Sequence, residues 1–104
     1  MMIKKAVFDE VHGLTESFKV ALNDVDFCLK VRSLNKLVVY NAFSLWYHYE
    51  SKSRGYEDTP EKKIRFEGEV RQFQERWSDI LKDGDPYYNK NFPITLSPFM
   101  LETL

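Results

Sequence analysis

Apolar residues recur at Ile3, Val7, Phe8 and Val11, a spacing that gathers them on one side of a short helix, and His12-Gly13 supplies its stop. From Asn23 the pattern broadens. Val25, Cys28 and Leu29 fall on one side and Phe27, Val31 and Leu34 on another, which predicts a helix apolar around much of its girth and therefore buried. Leu37 to Tyr40 and Phe43 to Tyr49 are rich in β-branched and aromatic residues, with Asn41 as a turn signal between them, and predict two short strands. Glu50 to Thr59 holds almost no buried-type residue and predicts an exposed, mobile loop.

Thr59-Pro60 is a helix start: a hydroxyl that can accept from the first turn, then a proline where its missing N–H costs nothing. The helix is expected to reach about Lys82, because Phe66, Val70, Phe73, Trp77 and Ile80 form one narrow apolar stripe among charged residues. Beyond Gly84, Asp85 to Pro93 carries two prolines and three aromatics, which suits an extended arm laid on a surface. Two strands are too few for a free-standing sheet, so the expectation is an α/β unit, residues 1–104 as a single unit, at the end of a larger fold.

Composition narrows the functional classes. Eight Phe, six Tyr and two Trp supply large apolar faces and argue against a disordered tail. Fifteen Lys and Arg against sixteen Asp and Glu leave a net charge of -1, without the basic footprint that nucleic-acid binding demands. One cysteine and two histidines cannot build a Cys/His zinc cluster or an internal disulfide, which suits a reducing, cytoplasmic setting. No run of residues is long and apolar enough to predict a signal peptide or a membrane span.

Read from the residues alone, Asn23 is an N-cap and Asp24 and Asp26 are first-turn acids favoured by the helix dipole. Cys28 reads as a small core residue and His48 as a hydrogen-bonded structural histidine. Trp46, Tyr47 and Tyr49 read as a strand's packing faces, with sugar stacking as the alternative.

Five blocks stand in order along the chain: Lys4-Lys5-Ala6-Val7-Phe8-Asp9-Glu10-Val11, Gly13-Leu14-Thr15-Glu16, Asn23-Asp24-Val25-Asp26-Phe27-Cys28-Leu29-Lys30, His48-Tyr49-Glu50-Ser51 and Ser53-Arg54-Gly55. Asp85-Pro86-Tyr87-Tyr88-Asn89 follows them. Together they resemble the C-terminal half of bacterial family 2 glycosyltransferases, in the subset that builds rhamnan and related surface polysaccharides. Two positions depart from that pattern: His12-Gly13 stands where two glycines are usual, and Lys90 where a proline is common.

The resemblance implies the acceptor-side part of a GT-A fold, without the N-terminal nucleotide-binding half and its Asp-x-Asp motif. It implies an inverting transfer of a sugar from a nucleotide-sugar donor to a glycan or lipid-linked glycan, in the cytoplasm or at the inner face of the membrane. Asp24 falls on the catalytic base, which takes the acceptor's proton, and Asp26 on an orienting or capping partner. His48 would complete a Mg²⁺ or Mn²⁺ site begun by the Asp-x-Asp, with Glu50 a weaker ligand. Arg54 and Lys52 would neutralise the departing diphosphate. The chain by itself is expected to be inactive.

Two rivals belong to other classes. One is a non-catalytic interaction module that self-associates or exchanges segments through uncovered apolar faces. The other is a small metal-dependent hydrolase using Asp24, Asp26, His48 and Glu50.

Overall fold

The structure, a computed structural model, describes residues 1–49 and 59–87. Four helices account for its regular structure: α1 (Lys5–Glu10), α2 (Asn23–Ser33), α3 (Pro60–Arg76) and α4 (Ser78–Asp83). The chain divides into two compact units, Met1–Phe73 and Gln74–Leu104.

Helix α1 ends where the sequence expects. The His12 N–H donates to the Asp9 carbonyl at 3.1 Å and the Gly13 N–H to the Phe8 carbonyl at 2.8 Å, the paired bonds of a Schellman stop. Both His12 (φ 59) and Gly13 (φ 66) are left-handed, so the second of these positions suits glycine well. A Cβ at Gly13 would lie 3.0 Å from the Phe8 ring. Gly13→Ala is therefore expected to cost about 1–2 kcal/mol through the left-handed backbone and that contact, read as a lower urea midpoint with unchanged slope.

Helix α2 buries one side only. Phe27 and Val31 are buried with Val11, and Ile3 and Val7 pack against them. The Phe8 ring lies beside Phe27, centroids 5.8 Å apart. The Lys30 ammonium donates to the Gly13 carbonyl at 2.5 Å, tying α2 to the end of α1. Val25 and Leu34 are exposed, contrary to the expectation of a helix buried around its girth.

The two expected strands do not form, and the α/β reading is replaced by a helical one. Among the described residues there is no strand, and every residue from Leu37 to Tyr49 is exposed. Strand propensity measures fit to a pleated, half-buried surface, and a run without a pairing partner gains nothing from it. The turn between the two runs is present: the Ser44 N–H donates to the Asn41 carbonyl at 3.2 Å and the Phe43 N–H to Asn41 Oδ1 at 3.0 Å.

Helix α3 starts as the sequence predicts. Thr59 Oγ1 accepts from the Lys62 N–H at 3.3 Å and the Thr59 carbonyl from the Lys63 N–H at 3.0 Å. Thr59→Ala should cost about 1 kcal/mol, and Thr59→Ser should recover most of it in the same unfolding measurement. The expected run to Lys82 is interrupted at Trp77 (φ -111, ψ 22), where α3 gives way to α4. In the second unit the Arg76 guanidinium lies 5.5 Å from the Trp77 ring centroid. Of the Asp85 to Pro93 arm only Asp85, Pro86 and Tyr87 lie within the described residues.

Candidate active site

The acidic turn at the start of α2 is held by the loop before it, and that loop is fixed chiefly by α3. Phe18, almost fully buried, meets the Phe73 ring edge-on at 6.2 Å between centroids. Gln72 Nε2 donates to Ser17 Oγ at 2.5 Å. One turn earlier on α3, Glu69 is buried at 5% exposure and spans three consecutive backbone amides. Lys19 and Val20 donate their N–H groups to Oε1 at 2.9 and 3.3 Å, and Ala21 donates to Oε2 at 2.8 Å. A carboxylate receiving three backbone donors meets its own hydrogen-bond demand and theirs in one contact.

Directly after this clamp the chain turns into α2 through Leu22, whose φ of 61 is left-handed. Its carbonyl accepts the first helical bond, from the Asp26 N–H at 2.8 Å. Leu22, with no side-chain cap, is the N-cap; Asn23 is the first helical residue, so the expected Asn23 cap is corrected. The amide clamp fixes the chain's approach instead, leaving the Asn side chain no capping position to fill.

The two aspartates of this turn are in opposite states. Asp26 is fully buried, 0% exposed, and its Oδ2 accepts from Thr15 Oγ1 at 2.6 Å. Asp24 is exposed, and its Oδ1 accepts from the Val25 N–H at 2.8 Å, one of the amides a helix start leaves unpaired. One carboxylate thus joins the α2 start to the Thr15 loop, and the other stays open to solvent. One turn on, burial pushes the Cys28 thiol above its ordinary value and the Asp24 charge pushes the same way, which keeps it an unreactive thiol at neutral pH.

Of the remaining metal and diphosphate candidates only His48 lies within the described residues. His48 lies in the exposed stretch that ends at Tyr49. Lys52 and Arg54, with Glu50, lie outside the described residues. Among the described residues no three His, Cys, Asp or Glu side chains come together as a metal ion would require.

Sequence reasoning missed Glu69, although a signal was present. Phe66, Glu69, Val70 and Phe73 stand at helical spacing, so Glu69 occupies a place in the apolar stripe. A carboxylate there must find donors or be expelled to water. Leu22 gave no signal, since left-handed positions are expected to carry Gly or Asn.

No family model matches the chain, and no solved structure matches it. It is similar to an uncharacterized protein, y4gI, of Sinorhizobium fredii, at 43% identity over 104 residues. The similarity takes in 99% of this chain and 11% of that protein, so the chain spans about a ninth of the length of the relative it matches.

Proposed function

We propose that these residues form the acceptor-side, catalytic-base segment of an inverting glycosyltransferase, acting on a nucleotide-sugar donor and a glycan or lipid-linked glycan. The observation that carries the reading is the unlike state of the two aspartates: Asp26 is buried against Thr15, while Asp24 faces solvent on a turn clamped from α3. A general base needs that combination of access and fixed position. The ordered blocks that resemble family 2 glycosyltransferases supply the reaction class.

In this reading Asp24 takes the proton of the acceptor hydroxyl as its oxygen attacks the anomeric carbon, and the nucleoside diphosphate leaves from the opposite face of the sugar. Lys52 and Arg54 offset the charge on the leaving group. Asp26 and Glu69 are positioning residues. A divalent ion held in part by His48 would neutralise diphosphate charge when bound. The 104-residue chain on its own is expected neither to transfer nor to hydrolyse a nucleotide sugar. The test is sugar transfer by the natural polypeptide that carries this segment, with and without Asp24→Asn; an unchanged rate in the variant refutes the role.

One observation favours a second reading, a self-associating interaction module: Leu37, Val39, Tyr40, Phe43, Leu45 and Trp46 are each at least 71% exposed. Contiguous apolar surface of this kind commonly marks an interface. Light scattering across a range of protein concentrations separates the two, since a strict monomer leaves that reading without support.

A further inference from the structure

We propose that the groove beside α1 and α2 binds the alkyl tail of a single-chain anionic amphiphile, a fatty-acid carboxylate. The groove has a volume of about 530 Å³, within the range of small-molecule sites. Ile3 and Val7 come from the α1 side, Phe27 and Val31 from α2, and Leu37 and Val38 from the segment after α2. Phe27 and Val31 are among the most buried of the described residues, so the groove reaches the small core.

Its charged lining has one sign. Lys4 and Lys36 line the groove, and no acidic side chain does so among the described residues. Lys36 shares its charge with Glu10, 3.0 Å away. An apolar trough edged by the Lys4 ammonium, with Lys36 already paired to Glu10, matches a ligand with an aliphatic body and an anionic head, because the Lys4 stem can lie along the tail while its charge meets the carboxylate. A neutral alkyl chain would leave that charge unused, and a polar anion would leave the apolar walls uncovered. The inference is independent of the transferase reading, and its test involves no sugar transfer.

Cys28 lines the groove and is the chain's single cysteine, which makes it a built-in reporter. The test measures Cys28 alkylation at alkaline pH, where thiolate is present, with submicellar laurate as the probe. Laurate at about ten times its Kd should slow alkylation about tenfold. Lys4→Glu should weaken the laurate effect about fivefold, and the difference should shrink in high salt. Val38→Asp, at a half-exposed position outside the buried core, should abolish protection with the circular dichroism unchanged.

Three results would each overturn the proposal. Laurate could leave the alkylation rate unchanged. Dodecanol could protect as well as laurate, which would make this a bare apolar face. Cys28 could become protected with rising protein concentration and no laurate, which would make a second copy of the chain the occupant.

Discussion

Replacing Glu69 with alanine is expected to lower the unfolding free energy by about 3 kcal/mol, the cost of stripping a buried charged acceptor from three part-buried donors. The described core is small, with Val11, Phe18, Phe27, Val31 and Phe73 as its buried apolar residues, so such a loss is a large share of a domain's stability. Glu69→Gln should fall between. Its one carbonyl oxygen can keep the Lys19 and Val20 amides, while its NH₂ would face the Ala21 N–H as donor against donor. The order Glu, Gln, Ala in urea midpoints is the expected result. Faster hydrogen exchange at the amides of Lys19, Val20 and Ala21 should accompany it. An alanine variant as stable as the parent, with those amides still protected, would show that the clamp contributes nothing.

The second large effect separates the two aspartates by kind. In the polypeptide that carries this segment, Asp24→Asn should reduce sugar transfer about 100-fold or more, the usual worth of a general base, with donor KM little changed. Its fold should survive, because Asp24 is exposed and asparagine keeps an oxygen that can accept from the Val25 N–H. Asp26→Asn should do the reverse. It weakens the charge-assisted bond to Thr15 at a fully buried site, so stability should drop by about 2 kcal/mol. Transfer should then fall only in proportion to the folded fraction. If the two variants lost stability alike and kept equal kcat, the division between base and anchor would be wrong.

Features written in local chemistry were legible. The His12-Gly13 stop, the Thr59-Pro60 start and the Asn41 turn each depend on residues within one turn of themselves, and each stands where the sequence put it. Features that depend on distant partners were not. The runs 37–40 and 43–49 have strand chemistry, yet a strand exists only through its neighbour and none is paired here. Asp24 and Asp26 could be singled out as a pair, but which was buried depended on Thr15 and could not be read from the turn. Glu69 was visible as a charge in an apolar stripe, although nothing in α3 names amides 48 to 50 residues earlier as its partners.

That separation has a kinetic meaning. The loop leading to Asp24 is synthesised before its fixing carboxylate, which is polymerised some fifty residues later and acts only once α3 has docked. Closing so long an intervening segment is paid in chain entropy before any contact rewards it. The aspartate turn should therefore acquire its final geometry among the last events of folding, and a nascent chain stalled before α3 should carry the acidic motif without the shape that could make it useful.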